Sequence, residues 1–190
     1  MIKKEIFREY DIRGIYDSEL NEDTAYLIGK AYGTILQKEY NKKKCIVGYD
    51  NRLSSVSLYE ALVKGILETG VDVVSIGLTT TPMYYFAWDY LNVKCGVMIT
   101  ASHNPKEYNG FKFSYNGLHN AFGASVYHLF DVIQSNDFIK GNGILIEKKV
   151  KDEYINLLLK GIKLGDRQLK VVFDCGNGTT SIVARDVLSK

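Results

Sequence analysis

Residues 44–77 read KCIVGYDNRLSSVSLYEALVKGILETGVDVVSIG, and this stretch decides the fold class. Its two ends, 44–50 and 71–77, are short apolar runs with the composition of buried strands. Between them, apolar residues recur at helical spacing from Ser54 onward, and Gly70 is well placed to end that helix. A strand, a helix and a second strand in this order predict a βαβ unit, with both strands parallel in one sheet.

The same alternation of helical and strand patterns continues through the rest of the chain. Helices are predicted at 22–38, 81–91, 123–135, 151–163 and 179–189, and strands at 93–100, 111–115 and 169–174. We therefore expect an α/β fold in three layers, α/β/α, with a mixed, mostly parallel sheet and helices on both faces. A polar segment at 135–143 predicts the approach to a boundary, between a first unit at 1–145 and a second α/β unit at 146–190.

The composition is that of an ordinary globular protein, and it argues against several functional classes. Lys and Arg number 24 against 22 Asp and Glu, so the net charge of +2 argues against a broad nucleic-acid-binding face. No apolar run approaches the roughly 20 residues that span a bilayer. The lysines near the start precede no long apolar segment of the kind found in secretory signals. We therefore expect no nucleic-acid partner and no membrane partner.

The cysteines and histidines do not form a pattern of disulfides or metal ligands. The three cysteines are odd in number, far apart and set in apolar stretches: Cys45, Cys95 and Cys175. The three histidines have no metal-ligand spacing with them: His103, His119 and His128. Because disulfides are rare in reducing compartments, we expect reduced thiols and a cytoplasmic setting.

Ligands of parallel α/β sheets bind beyond the carboxyl ends of the strands. In this sequence the loops at such ends are those after Asp50, Gly77, Thr100 and Asp174. The third of these loops is the most unusual, because residues 100–105 read TASHNP and join hydroxyl, imidazole and amide groups within a few positions. Lys112 then brings a cation back on the next predicted strand.

Three interpretations of this loop are open on the residues alone. In the first, Ser102 and His103 form a hydrolase pair. Neighbours on an extended chain point in opposite directions, however, and no G-x-S-x-G motif surrounds them. In the second, Ser102 accepts and donates a phosphoryl group while Lys112 balances the phosphate charge. In the third, the loop only joins two strands.

Five motifs, in the right order and over nearly the whole chain, resemble those of one enzyme family. They read FREYDIRG at 7–14, GYDNRLSS at 48–55, TASHNP at 100–105, YNGFK at 108–112 and VVFDCGNG at 171–178. Together they resemble the α-D-phosphohexomutases, the phosphoglucomutase and phosphomannomutase family. The resemblance implies that 1–145 is domain I of this family and that 146–190 is the beginning of domain II, an incomplete second α/β unit.

The resemblance implies a reaction that interconverts hexose 1-phosphates and hexose 6-phosphates. Ser102 is the implied phosphoryl carrier, which passes its phosphate to a hexose phosphate substrate and takes back the other phosphate after the bound bisphosphate has turned over. A phosphoserine carries about −1.5 to −2 charges. The family balances this charge with Mg²⁺, bound to the phosphate on Ser102 and to aspartates of the second domain. A hexose 1,6-bisphosphate is the implied activator.

The resemblance also implies roles for residues around Ser102. Lys112 and His103 match catalytic positions that can move a proton, and Arg13 matches a catalytic, phosphate-binding arginine. The residues implied to bind the substrate are Tyr10, Arg13, Asn104 and Lys112.

Arginine suits contact with phosphate or carboxylate groups, and three of the five arginines lie in the motifs. Besides Arg13, these are Arg8 and Arg52. For these two we expect salt bridges with a nearby carboxylate, such as Asp11 or Asp50.

The family's aspartate-rich metal loop, D-G-D-x-D-R, has no counterpart in this sequence, where Asp166-Arg167 lacks companion aspartates. We therefore expect the N-terminal part of a phosphohexomutase, with little or no mutase activity on its own. An alternative is a non-catalytic module that binds phosphosugars or a partner protein. Such a module is expected to self-associate through the incomplete second unit.

Overall fold

The computed structural model describes residues 2–117, 120–163, 165–167 and 169–189. The strands are β1 Ile12–Ile15, β2 Lys44–Tyr49, β3 Asp72–Leu78, β4 Gly96–Ile99, β5 Tyr108–Ser114 and β6 Leu145–Glu147. The helices are α1 Glu22–Lys38, α2 Ser55–Leu67, α3 Thr81–Tyr90, α4 Ala124–Ser135, α5 Lys151–Gly161 and α6 Ser181–Leu188. Within the described ranges, none of these helices has both the length and the apolar character needed to cross a membrane.

The described strands form one sheet in the order β1-β5-β4-β2-β3-β6. β4, β2, β3 and β6 run parallel, whereas β5 is antiparallel to both of its neighbours, β4 and β1. The expected mixed, mostly parallel sheet is therefore confirmed. Because β5 returns beside β4, the loop between them begins and ends at the edge where β2, β3 and β4 have their carboxyl ends.

The alternation of side chains along β2 explains the layers. Cys45 and Val47 belong to a core shared with α1, α2 and α4, whereas Ile46 belongs to a second core shared with α3, α5 and α6. Successive residues of a strand face opposite sides of the sheet, so a continuous apolar run is buried on both faces. The three-layer α/β/α architecture is confirmed.

Local sequence sets the ends of several helices. α1 begins at residue 22 as predicted, after the N-cap Asn21, whose side chain accepts a hydrogen bond from the Thr24 N–H at 3.0 Å. α3 carries Pro82 in its first turn, where proline loses no hydrogen bond. Gly70, just beyond α2, has a φ of 87°, the left-handed conformation that glycine adopts at helix ends.

Three elements differ from the sequence prediction. Residues 169–174 do not form the predicted strand, because no described strand lies beside them to complete a hydrogen-bonded ladder, and Val172 is fully exposed. β1 and β6 are absent from the prediction, because runs of four and three residues are too short to show a period. β6 lies across the predicted boundary after residue 145, and the division into two units stays a prediction.

α1 and α2 pack closely because a glycine of each helix faces the backbone of the other. A Cβ atom on Gly29 would lie 2.2 Å from the Leu62 carbonyl oxygen, and one on Gly65 would lie 2.2 Å from the Tyr26 carbonyl oxygen. We expect Gly29→Ala to lower the free energy of unfolding by about 1–3 kcal/mol, because the two helices must move apart.

Urea unfolding measures this effect, and Gly161→Ala is the matched control. Gly161 is the last residue of α5, and a Cβ atom there meets no atom within 4 Å. Because alanine favours a helix over glycine by up to about 1 kcal/mol, the control should be at least as stable as the wild type. Equal stabilities of the two variants would contradict the close packing of α1 on α2.

Candidate active site

A cavity of about 1270 Å³ opens at the edge of the sheet where β2, β3 and β4 end. Most of its lining comes from four loops, which lie within 50–54, 79–82, 100–107 and 176–180. The first three follow β2, β3 and β4, and the fourth follows the segment predicted as a strand. The loops that the sequence marks as ligand-binding candidates therefore line one cavity.

Ser102 lines this cavity with an unusual backbone conformation. Its φ is 55°, in the left-handed region, and its N–H donates to the Thr100 hydroxyl oxygen at 2.9 Å. The other described non-glycine residues with positive φ are all Asn or Asp: Asp17, Asn41, Asn92, Asn136 and Asn177. Because other residue types rarely adopt this conformation, the backbone strain at Ser102 indicates a functional constraint.

The left-handed turn at Ser102 brings the side chains of Ser102 and His103 close together. Ser102 Oγ and His103 Nδ1 are 3.4 Å apart, at the long end of the hydrogen-bond range. The sequence argument against such a pair rests on an extended backbone, which Ser102 does not have. The described residues provide no hydrogen bond to the other nitrogen of the His103 ring. The third group of a hydrolase triad is therefore missing from the described part of the chain.

A buried carboxylate, Asp11, holds both cations implied by the resemblance. Its Oδ2 accepts a hydrogen bond from Arg13 Nε at 2.9 Å and lies 2.7 Å from Arg13 Nη2. The same oxygen accepts from Lys112 Nζ at 3.1 Å. Asp11 was missed as a site residue, and the expected salt bridge between Arg8 and Asp11 is wrong. Arg8 is exposed, whereas the carboxylate faces the other two cations.

Strand pairing explains how this cluster assembles. β1 and β5 are antiparallel neighbours in which Arg13 lies opposite Gly110, two residues before Lys112 on the same face. Glycine leaves room for the arginine, because a Cβ atom on Gly110 would lie 3.0 Å from Arg13 Cγ. Arg13 Nη1 also donates to the Asn104 side-chain oxygen at 2.5 Å, which joins the cluster to the Ser102 loop.

The structure thus divides the site residues named by the resemblance into three groups. Ser102, His103 and Asn104 line the cavity. Arg13 and Lys112 lie outside its lining. Arg13 bonds to Asn104, and Lys112 is linked to Arg13 through Asp11. The third group is Tyr10, which also lies outside the lining, with 67% of its surface exposed.

Asp50 anchors the first loop of the cavity. Its carboxylate accepts a hydrogen bond from Ser55 Oγ at 2.6 Å and forms an ion pair with Arg52 at 3.3 Å, which confirms the salt bridge expected there. The Asn109 side-chain amide donates to Ser54 Oγ at 2.8 Å and to Ser55 Oγ at 3.0 Å. Two motifs distant in sequence, 48–55 and 108–112, are therefore joined by buried hydrogen bonds.

The turn at 176–180 is held against the first loop by Asn51. The Asn51 side-chain amide donates to the Asn177 carbonyl oxygen at 2.8 Å, and Thr179 Oγ1 donates to the Asn51 side-chain oxygen at 2.7 Å. These bonds place the motif at 171–178 beside the cavity.

The sequence and the fold are similar to those of known proteins. The family described as "Phosphoglucomutase/phosphomannomutase, alpha/beta/alpha domain I" matches residues 4–138, which hold β1 to β5 and α1 to α4. The chain belongs to this phosphohexomutase family. The match includes the first four of the five motifs.

Relatives of the phosphohexomutase family match nearly all of the chain. The phosphomannomutase/phosphoglucomutase of Pseudomonas syringae pv. tomato is 40% identical over 185 residues, which are 96% of this chain and 39% of the relative. The phosphomannomutase of Salmonella typhimurium is 40% identical over 190 residues, covering 96% of this chain and 41% of the relative. The chain therefore spans about 40% of the length of these relatives.

A solved structure of the same family has the same fold. The chain superposes on a phosphoglucomutase/phosphomannomutase family protein from Burkholderia thailandensis with a TM-score of 0.92 and 35% sequence identity. The match covers 100% of this chain and 42% of that protein. The chain therefore has the same fold as the matching part of a solved member of this family.

The described part of the chain contains no cluster of side chains suited to hold a metal ion. Among the described residues, no three His, Cys, Asp or Glu side chains lie close enough to hold a metal ion together. His128 pairs with Glu39 at 2.6 Å, and His119 lies outside the described residues. Burial raises the pKa of Cys95 to about 11, so this thiol stays protonated and is a poor metal ligand near neutral pH.

Tyr16 is a further residue of the cavity lining. Its hydroxyl donates to the Glu22 carboxylate at 2.6 Å, and this hydrogen bond raises the pKa of Tyr16 above its ordinary value. The phenol therefore stays neutral near neutral pH.

The strain at Ser102 predicts an unusual order of stabilities among variants at this position. We expect Ser102→Gly to be about 1 kcal/mol more stable than Ser102→Ala, because glycine adopts positive φ without steric cost. Ser57 lies inside α2, where alanine is favoured over glycine. Ser57→Ala should therefore be about 1 kcal/mol more stable than Ser57→Gly. Chemical denaturation of the four variants gives both differences. The same order at both positions would rule out strain at Ser102.

Proposed function

We propose that this chain supplies the phosphoryl-carrier serine of a phosphohexomutase, and that Ser102 is that serine. One observation carries the proposal: a strained, left-handed serine in the TASHNP motif lines a cavity at the carboxyl edge of the sheet. Strain of this kind persists only where the surroundings enforce it, and it is typical of residues that act on a ligand. The family to which the chain belongs supports the same chemistry.

The proposed transfer relies on positioning and charge compensation more than on covalent chemistry by the protein. Ser102 Oγ attacks a phosphorus atom of a hexose 1,6-bisphosphate, and the bond between that phosphorus and the sugar oxygen breaks. The serine proton moves to a base, for which His103 Nδ1 at 3.4 Å is within reach, and the sugar oxygen takes up a proton. In the full cycle, the phosphate on Ser102 is transferred to the free hydroxyl of a hexose 1-phosphate, the resulting 1,6-bisphosphate turns over, and Ser102 takes back the other phosphate, which releases a hexose 6-phosphate.

Arg13 and Lys112 are the proposed cations for the substrate phosphate. A guanidinium has five N–H donors and an ammonium has three. Arg13 uses three of its donors on Asp11 and Asn104, and Lys112 uses one on Asp11, within the described residues. Each side chain therefore keeps two donors for a phosphate. We propose that Lys112 also supplies the proton to the sugar oxygen, that Asn104 orients Arg13, and that Tyr10 contacts the sugar.

The proposed substrate is a hexose phosphate, and the names of the relatives suggest which sugars to test. They include a phosphoglucomutase from Neisseria meningitidis, 38% identical, beside the phosphomannomutase from Salmonella typhimurium, so glucose and mannose phosphates are both candidates. Mg²⁺ is the proposed cofactor. The described carboxylates do not form its site, and the ligand proposed from this chain is an oxygen of the phosphate on Ser102.

Incubation of the purified chain with glucose or mannose 1,6-bisphosphate tests the proposal. We expect the intact mass to increase by one phosphoryl group, which peptide mapping places on Ser102, while a coupled mutase assay shows little or no turnover. Saturable sugar-phosphate binding with Ser102 unmodified would instead favour a non-catalytic module. Labelling of Ser102 by a fluorophosphonate would favour a hydrolase.

We also propose that residues 146–190 begin a second unit, which pairs with further family domains or with a second copy of the chain. Sedimentation of the purified chain at increasing concentration distinguishes a monomer from such a dimer. A cytoplasmic setting is proposed because Cys45 and Cys95 are buried free thiols.

A further inference from the structure

Arg52 occupies a central position beside the Ser102 loop. It follows β2 in the motif at 48–55, and its side chain is only 13% exposed although it lines the cavity. Neither its charge nor its motif distinguishes it from a phosphate ligand, because arginine is well suited to phosphate. Its hydrogen bonds make that distinction.

Every N–H donor of the Arg52 guanidinium has a partner in the protein. Its contacts are Nε to Asp50 Oδ2 at 3.3 Å, Nη1 to the carbonyl oxygens of Pro105 at 2.7 Å and Tyr108 at 3.0 Å, and Nη2 to those of Ser102 at 3.1 Å and Asn104 at 2.8 Å. A guanidinium has five N–H donors, so none remains for a ligand. Arg13 and Lys112 differ, since each keeps two.

The four carbonyl groups bound by Arg52 span the loop from Ser102 to the start of β5. The Pro105 carbonyl oxygen also accepts from the Tyr108 N–H at 3.1 Å. Carbonyl groups in a loop generally lack a ladder partner and then need water or another donor. One rigid, planar cation satisfies all four and thereby fixes their relative positions. The Asp50 carboxylate balances the charge, and Ser55 Oγ holds that carboxylate at 2.6 Å.

The strained conformation of Ser102 is held from both sides of the residue. On one side, its N–H donates to Thr100 Oγ1 at 2.9 Å. On the other side, its carbonyl oxygen accepts from Arg52 Nη2 at 3.1 Å. A left-handed serine relaxes to a more favourable φ unless such contacts prevent it, and relaxation would turn the hydroxyl away from its place in the cavity.

We propose that Arg52 is the positioning residue of Ser102: it holds the serine loop by its carbonyl groups and does not bind the substrate phosphate. The role in phosphoryl transfer rests on the proposed function, whereas the mechanical role in the loop does not. Lysine cannot replace Arg52, because one ammonium with three donors cannot reach four carbonyl oxygens and a carboxylate.

Hydrogen exchange of the whole chain tests the mechanical role. The reporters are the N–H groups of Ser102, Asn104 and Tyr108, which bond within the loop at 2.9, 3.0 and 3.1 Å. In Arg52→Lys and Arg52→Gln we expect their exchange to accelerate about tenfold or more, while the amides of β2 and β3 keep their protection. Arg167→Lys, which changes an exposed arginine, is the matched control and should exchange like the wild type. Unchanged loop exchange in both Arg52 variants would overturn the proposal.

Chemical rescue separates a positioning role from general loss of structure. In Arg52→Ala, guanidinium at millimolar concentration should restore the loop protection, because the ion can refill the same set of acceptors. Failure of guanidinium to restore protection, in a variant with an otherwise protected sheet, would overturn the proposal. If the Ala variant does not fold, the milder Lys and Gln variants still give the exchange result.

The rate of Ser102 phosphorylation by hexose 1,6-bisphosphate gives a second readout. In Arg52→Lys we expect the rate at saturation to fall about 10- to 100-fold, since small displacements of a reacting group cost this much. The half-saturating concentration should change by less than about threefold, because no phosphate contact is lost. A raised half-saturating concentration with an unchanged maximal rate would overturn the proposal. If wild-type Ser102 accepts no phosphate but the loop exchange responds as expected, the proposed function fails and the positioning role stands.

Discussion

Ser102→Ala is expected to abolish the transfer of phosphate from a hexose 1,6-bisphosphate to this chain. The Ser102 hydroxyl is the proposed nucleophile, and alanine retains Cβ but has no oxygen to form the new bond to phosphorus. The loop contacts made by Thr100 and Arg52 involve the backbone of residue 102, so they remain in the variant. Intact-mass analysis should find no phosphorylated chain after an incubation that modifies the wild type completely.

Two further variants make this result specific. Ser135→Ala removes an exposed hydroxyl at the end of α4 and should be phosphorylated at the wild-type rate. Lys112→Met should slow the phosphorylation of Ser102 by about 100-fold without preventing it, as expected for the loss of a proton donor. Phosphate on another residue of Ser102→Ala would assign the carrier role elsewhere.

Asp11→Asn is expected to destabilise the protein by about 2–3 kcal/mol. The Asp11 side chain is 8% exposed, and its Oδ2 lies 2.7 Å from Arg13 Nη2 and 3.1 Å from Lys112 Nζ. Asparagine removes the negative charge that the two cations share. The loss of stability on breaking a buried ion pair is typically larger than on breaking a surface pair. The estimate is below the full cost of a buried unpaired charge because Lys112 is 21% exposed and partly hydrated. The melting temperature should fall by roughly 5–10 °C.

Asp137→Asn is the matched control for Asp11→Asn. Asp137 pairs with Lys38 at the same 2.7 Å distance, but its side chain is 79% exposed. A pair in that environment contributes about 0–1 kcal/mol, so the control should melt within a few degrees of the wild type. Equal losses in the two variants would show that burial of the Asp11 cluster does not matter.

The central strands of the sheet could be predicted from the sequence, but its two edge strands could not. β2 and β3 are continuous apolar runs that flank a helical pattern, and burial on both faces produces such runs. β1 has four residues and pairs with β5, from a distant part of the chain, so no local pattern marks it. At 169–174 a strand was predicted from the apolar composition but does not form, because no neighbouring strand is present in the described structure.

The location of the candidate site could be predicted from its motifs, whereas the hydrogen bonds and ion pairs within it could not. Ser102 and His103 stand out because hydroxyl and imidazole groups follow a buried run directly. The role of Asp11 was missed, because its second partner, Lys112, is brought to it only by the pairing of β1 with β5. Arg52 was expected to pair with Asp50, and it does, but its four carbonyl partners are backbone groups that every residue has.

Because β1 is an edge strand that pairs only with β5 among the described strands, its place in the sheet affects how the protein folds during synthesis. Asp11 bonds to a residue 101 positions later, and Arg13 to one 91 positions later. During synthesis the segment that holds β1 leaves the ribosome well before β5, and its place beside β5 does not exist until residues beyond 114 have emerged. The parallel strands in the middle can pair earlier, because pairing across fewer residues has a lower entropic cost. We therefore expect the cluster of Asp11, Arg13 and Lys112 to form late, and the segment that holds β1 to stay accessible to chaperones and proteases until then.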